Sequence, residues 1–296
     1  MRTITSRACP GWLVFVAPLA LALTAGADAV RTQGVEKSIF VSVIDTSGNA
    51  ITDMTAADFA VREDGTDREV IRATRATAPL SVALLVDTSD GAEDYVPHIR
   101  AGFKAFVHDV LTASPDSQIS LWEFGQASVR ISDFSSDAEK LGREAGRLFP
   151  KPGAASVLLE ALLDTSEALG RRPSPRRAIV LLNLEPGTEQ SREEPGRIND
   201  SLKRSRAQVW ALSVQKGALK NASRDLVLNT FVRNAGGRRE FILAASAIEG
   251  YMRQYAGALT AQYELTYTRP SGRPKIVETG VRREGARAIA GIFAPQ

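Results

Sequence analysis

Two rhythms of hydrophobic residues divide this chain. In the middle, unbroken apolar runs alternate with stretches whose apolar residues recur at steps of three and four; towards both ends the spacing falls to two. The run Leu80-Ser-Val-Ala-Leu-Leu-Val-Asp87-Thr-Ser89-Asp-Gly91 carries no charge before Asp87. Continuous rather than alternating hydrophobicity marks a strand covered on both faces. Ligands of open parallel sheets meet the carboxyl ends of such strands, so Asp87 and Ser89 are expected on the floor of any site.

After this run, Val96, Ile99, Phe103, Phe106, Val107, Val110 and Leu111 share one helical face. Gln118 to Phe124 and Ser128 to Ile131 read as a strand pair around Gly125, followed by a helix from about Asp137 to Leu148 and a breaker-rich loop, Pro150 to Ser156. Ser156 is expected to cap a helix with Val157, Leu158, Ala161, Leu162, Ala168 and Leu169 on its apolar face, stopping at Gly170. Ala178 to Asn183 is a second buried strand with the polar exit Leu184-Glu185-Pro186-Gly187. A polar helix around Ile198 to Ser205, a strand from Gln208 to Val214 and a helix carrying Leu226, Val227, Phe231 and Val232 follow. That helix ends at Gly236-Gly237, before a short strand, Glu240 to Leu243, and a last helix with Ile248, Tyr251, Met252, Tyr255 and Leu259. Such alternation predicts an α/β fold with a doubly wound, mostly parallel sheet.

The ends differ. Lys37 to Asp45 alternates, with Ile39, Val41 and Val43 on one side and a turn at Thr46 to Asn49; Phe59 to Glu63 follows, and Asp64-Gly65 is a hairpin signal leading to Glu69-Val70-Ile71. Tyr263 to Tyr267 alternates cleanly, and Lys275 to Thr279 and Ala286 to Phe293 are also strand-like. Neither end is long enough to bury a core alone. Both are therefore expected to close one small β-sandwich, giving an N-terminal β segment (30–78), an α/β domain (79–260) and a C-terminal β segment (261–296) that packs on the first.

Residues 1–29 stand apart. Arg2 and Arg7 precede the apolar run Trp12 to Leu23, and small residues follow at Ala25, Ala27 and Ala29, the pattern of a secretory signal peptide cleaved after Ala27 or Ala29. The other reading, a retained anchor, is opposed by Pro18 and by a run shorter than the roughly 20 residues of a spanning helix. The expected mature protein is secreted or periplasmic, without a membrane span. The single cysteine, Cys9, lies ahead of the apolar run, so the mature chain has no disulfide to lean on. Of the 296 residues, 44% are hydrophobic and 24% charged, the balance of a soluble globular protein.

The net charge of +3 includes the signal segment, whose removal takes away two arginines and one aspartate. Arginines cluster at Arg171-Arg172, Arg176-Arg177, Arg238-Arg239 and Arg282-Arg283 without interleaved aromatic residues. Solvated loop arginines explain this better than nucleic-acid binding, which needs a concentrated basic face. The two histidines, His98 and His108, lie ten residues apart on one helix, off the spacing of helical metal pairs. With no cysteine in the mature chain, no nucleophile elbow and no glycine-rich phosphate loop, the sequence reads as a non-enzyme.

The stretches Leu80 to Gly91, Gly153-Ala-Ala-Ser156-Val-Leu-Leu-Glu160-Ala-Leu and Arg177 to Asn183 together resemble the von Willebrand factor type A fold. Asp58 to Gly65, Gln262 to Tyr267 and Gly291 to Pro295 resemble a secreted bacterial subgroup of it, and Ala235-Gly236-Gly237-Arg238 is similar to a late turn of the same family. The resemblance implies a protein-interaction module of adhesion type, with a metal-ion-dependent site atop the sheet. In that site an Asp-x-Ser-x-Ser loop, a threonine and a further aspartate surround magnesium, which takes oxygen ligands in an octahedron completed by a partner's carboxylate. Asp87 and Ser89 match the first two positions and Ser156 matches the threonine, whereas Gly91 replaces the second serine and Leu184 the later aspartate. The expected metal ligands are thus Asp87, Ser89 and Ser156 in a degenerate set, with Asp90, Gly91 and Glu185 on the face offered to a protein partner. The alternative is a scaffold whose metal site has decayed and which binds through other surfaces.

Overall fold

Among the described residues, four strands come first, β1 (Val35–Ile44), β2 (Phe59–Glu63), β3 (Thr66–Arg68) and β4 (Val70–Arg75). The alternating part follows as β5 (Leu80–Asp87), α1 (Val96–Ala113), β6 (Gln118–Phe124), β7 (Ser128–Ser135), α2 (Ala138–Ala145), α3 (Leu158–Gly170), β8 (Arg176–Leu184), α4 (Pro195–Ser205), β9 (Ala207–Val214), α5 (Ala222–Ala235), β10 (Arg239–Ile242) and α6 (Ile248–Thr260). Strands β11 (Tyr263–Arg269), β12 (Val277–Val281) and β13 (Arg287–Ile289) end it. This computed structural model describes Thr3 and residues 34–184, 188–215, 222–270 and 272–295. Apart from Thr3, the expected signal peptide lies outside the described residues, as does Glu185.

The central sheet has six strands in the order β10-β9-β8-β5-β6-β7, parallel except for β7, which pairs antiparallel with β6. Every residue of β5 is buried, and the reason is two-sided packing. Val82, Leu84 and Val86 face α1 and α6, against Phe103, Phe106, Met252 and Tyr255. Ala83 and Leu85 face α3, α4 and α5, against Leu162, Leu202 and Phe231. A fully buried aliphatic side chain contributes about 1.5–3 kcal/mol, so this strand is where the domain is held.

The two ends of the chain pair directly. Strand β1 lies antiparallel to β11, with Val41 opposite Tyr263 and Ile39 opposite Leu265, inside a sheet ordered β13-β1-β11-β4. A second sheet, β12-β2-β3, packs on it, and Val41, Val43, Phe59, Val61, Tyr263, Leu265 and Val277 form their shared core. Glu63 is buried between the sheets. It accepts from the Tyr267 hydroxyl at 2.5 Å and Arg269 at 3.0 Å, and pairs with Arg68 at 3.2 Å.

Three details depart from expectation. The Asp64-Gly65 turn has positive φ at both residues, as hairpin turns demand, but it returns only through Thr66–Arg68; Val70 and Ile71 belong to β4, in the other sheet. The chain changes sheets at Glu69. The final strand is shorter than Ala286 to Phe293, because after Ile289 the backbone leaves the sheet to lie against the end of α5, where Ile292 N–H donates to Asn234 O at 3.0 Å. Finally, Arg176 is not a solvated loop arginine. It is buried, and its guanidinium donates to Gln262 Oε1 at 3.1 Å, Ala76 O at 3.2 Å, Ala78 O at 2.6 Å and Leu259 O at 2.5 Å, pinning the junction where both β segments join the α/β part.

Candidate functional site

Strand β5 delivers Asp87, Thr88 and Ser89 into a fully buried turn. The Ser89 N–H and hydroxyl donate to Asp87 Oδ1 at 3.0 and 2.5 Å, a local turn that fixes the carboxylate's plane. The following loop is stitched to the segment before α3: Asp90 N–H donates to Ala154 O, Gly153 N–H donates to Asp90 Oδ1 at 2.9 Å, and Lys151 N–H donates to Thr88 O at 2.8 Å. Asp90 is exposed and Gly91 half-buried. Gly91 has φ of +86°, so a serine here would be strained in the left-handed region although its Cβ would meet nothing. More than a hydroxyl is missing at this position.

The other oxygen of Asp87 faces a positive charge that the sequence reading did not single out. Arg224, on the first turn of α5, is buried, and its Nη2 donates to Asp87 Oδ2 at 3.0 Å and to Ser156 Oγ at 2.9 Å. Its Nη1 donates to Leu184 O at 3.2 Å, and its Nε lies 3.3 Å from Glu189 Oε2. Leu184 N–H approaches the same Asp87 oxygen at 3.4 Å. The leucine that replaces a carboxylate thus takes part through its backbone, and one guanidinium gathers oxygens from four separate segments.

Ser156 is not a helix cap. Helix α3 begins at Leu158, and the side chains that cap it come from a remote loop: Leu158 N–H donates to Glu189 Oε1 at 3.2 Å and Leu159 N–H to Ser191 Oγ at 2.9 Å. Ser156 sits just before the cap position, bridged to Glu189, with its N–H on Thr188 O at 2.7 Å and its hydroxyl turned towards Arg224. Glu189 therefore ties the start of α3 to the buried arginine. The structure brings together Asp87, Ser89 and Ser156, with Asp90 and Gly91 at the rim, and adds Arg224, Glu189 and the backbone of Leu184.

No family model matches the sequence, and no curated protein matches it. Solved structures do. A von Willebrand factor type A protein from Catenulispora acidiphila superposes with a TM-score of 0.50 at 8% identity, over 89% of this chain and 67% of that one. The chain has the von Willebrand factor type A fold. Two others of similar shape are the PilB minor pilin of Streptococcus sanguinis, TM-score 0.48 at 11% identity over 64% of this chain and 63% of the pilin, and the mussel byssus proximal thread matrix protein 1 with a zinc-occupied adhesion site, TM-score 0.49 at 13% identity over 67% and 49%. This chain spans less than two thirds of either of those two proteins.

The cluster around Asp87 does not fit a magnesium ion. Of the oxygens that the resemblance assigns to the metal, Asp87 Oδ2 and Ser156 Oγ already face a guanidinium and Ser89 Oγ is spent on Asp87 Oδ1, and a second cation among them would meet the arginine's charge at contact distance. Gly91 and Leu184 add no side-chain oxygen. Among the described residues, no group of three or more His, Cys, Asp or Glu side chains is placed to hold a metal.

Proposed function

We propose that this chain is a secreted or periplasmic protein-interaction module that docks a partner at the carboxyl end of its six-stranded sheet, without a metal ion. The observation that carries this reading is the sealed guanidinium of Arg224, which meets Asp87, Ser156 and Leu184 at 2.9–3.2 Å where the resemblance places magnesium. An internal cation keeps the turn after β5 and the start of α3 in one arrangement, so the face is ready without loading. It leaves no open coordination position, and the partner needs no carboxylate to complete one.

Apolar surface at this end supports docking. Phe149, Leu226 and Leu243 are 62%, 69% and 77% exposed, and they lie respectively in the segment after α2, on the first turns of α5 and just beyond β10, all at the end of the sheet where β5 delivers Asp87. Exposed apolar surface marks an interaction site where it is contiguous, and a partner spanning this end of the sheet would cover all three. Asp90 and Gly91 edge the same face. Binding rather than catalysis is favoured because the buried carboxylate is committed to structural partners, the Ser89 turn and Arg224.

Export rests on residues 1–29. Mass spectrometry of the protein from its own cells should give a chain beginning at residue 28 or 30. To test the docking face, tagged wild-type protein and a Leu226→Asp, Leu243→Asp double variant are used to capture exported proteins, each with and without EDTA. A partner retained in EDTA and lost in the variant supports the reading. A partner captured equally by both proteins places the contact on another surface, as a scaffold would have it.

A further inference from the structure

At the amino end of the parallel strands, away from the turn of Asp87, a cleft of about 510 Å³ opens between the end of α4, the starts of β8 and β9, and the strands from the chain ends. Phe40, Pro173, Pro175, Leu202 and Phe293 give it apolar walls. Its charged lining is one-sided: Arg176, Arg177, Arg204 and Arg206 stand against the single carboxylate of Glu264.

The arginines are not neutralised by their contacts. Arg176, buried at the base, gives its donors only to carbonyl and amide oxygens. Burial, then the neighbouring Arg75, pushes its pKa down to about 10, with Glu264 opposing. Arg177 donates to Ser205 O at 2.7 Å and Arg172 O at 2.6 Å, both neutral, and burial together with Arg206 lowers its pKa too. Arg204 and Arg206 are exposed at the mouth and pair with no carboxylate among the described residues. A cleft in the size range of ligand sites, with apolar walls and an uncompensated cluster of planar cations, has the complement of an anion with an apolar body.

We propose that this cleft binds a carboxylate carried on an apolar body, with the carboxylate held by Arg204 and Arg206 and the apolar part lying against Phe40, Pro173, Pro175 and Phe293. The chemistry is shared by a fatty acid and by the apolar C-terminal residue of a peptide. Carboxylates suit this site because guanidinium forks bind them through paired, charge-assisted hydrogen bonds.

The test is calorimetric titration of the full-length mature protein with octanoate, N-acetylphenylalanine, octanol and inorganic phosphate. It is repeated with Arg204→Ala, Arg206→Asn, chosen because Arg206 has φ of +54° and asparagine tolerates that conformation. Saturable binding of octanoate or N-acetylphenylalanine, at least about tenfold weaker in the double variant at unchanged melting temperature, is expected from the loss of charge-assisted contacts. The tighter of the two carboxylates then names the source. Octanol binding as tightly as octanoate, phosphate binding as tightly as either carboxylate, no binding of any carboxylate, or equal affinity in the variant would each overturn the proposal.

Discussion

The Arg224 guanidinium and the Asp87 carboxylate meet at 3.0 Å with both side chains sealed from water. Removing one partner of such a pair leaves the other charge buried and uncompensated, which costs about 3–5 kcal/mol. Arg224→Met is therefore expected to lower unfolding free energy by that amount in urea titrations. Asp87→Asn combined with Arg224→Met removes both charges and should recover part of the loss. A single-variant loss below about 1 kcal/mol, the range of exposed pairs, would mean that the pair is not sealed in solution.

The same arginine sets the response to metal. Wild-type protein is expected to give no saturable heat with Mg²⁺ or Mn²⁺, and EDTA should not move its melting temperature. Arg224→Ala frees Asp87 Oδ2, Ser156 Oγ, Leu184 O and Glu189 Oε2 together, so stabilisation by Mn²⁺ is expected only in this variant, and not in Arg224→Ala with Asp87→Ala. Saturable Mn²⁺ heat in the wild type would refute the role given to Arg224.

The elements around the site were legible because their cause is local. Leu80 to Val86 and Ala178 to Leu182 are apolar on both faces, and the face of α1 repeats at three and four, so burial writes itself into the nearest neighbours. The site itself is not local. Arg224 finds its acceptors 137, 68 and 40 positions away, and nothing in the residues beside it distinguishes it from a surface arginine. The only hint was negative, the missing oxygens at Gly91 and Leu184. Ser156 departs from its expected role for a related reason: a serine ahead of an apolar helix normally caps it, but Glu189 and Ser191 arrive from a remote loop and take that task. Arg176 sits in a Pro-Ser-Pro context that looks like loop, while the acceptors around it come from the segment before β5 and the end of α6, both remote in sequence.

The Gly236-Gly237 turn is a point where backbone meets backbone. A Cβ on Gly237 would lie 1.8 Å from Val209 O, and one on Gly236, at φ of +78°, would lie 1.9 Å from Gly291 N. Neither obstacle is a flexible side chain, so strand β9 or the C-terminal tail would have to shift. Gly237→Ala is expected to destabilise by more than about 4 kcal/mol, beyond the usual range of single substitutions, and to appear as insoluble or protease-sensitive protein. Gly91→Ala, with positive φ but open space, should cost only about 1–2 kcal/mol. Similar losses at the two positions, read by chemical denaturation, would contradict the packing.

Tyr267 makes the β-sandwich sensitive to alkali. Its hydroxyl donates to buried Glu63 at 2.5 Å, and burial first, then the Glu63 hydrogen bond and charge, hold its pKa well above the ordinary tyrosine value. A group whose folded pKa is raised stabilises the fold fully below its unfolded pKa, about 10 for tyrosine, and loses that contribution as pH rises towards the folded value. At neutral pH, Tyr267→Phe should cost about 1.5–3 kcal/mol, the worth of a hydrogen bond to a charged group. Glu63 remains held by Arg269 and Arg68, so the variant should still fold. The stability gap between wild type and variant is then expected to be constant from pH 7 to about 9 and to narrow above about 10, because only the wild type has this phenol to lose. Tyr255, whose pKa burial also raises, is present in both proteins and cancels from the difference. Urea titrations at intervals between pH 7 and 11 measure the gap, and one that stays constant across the range would show that Tyr267 ionises as freely in the folded chain as in the unfolded one.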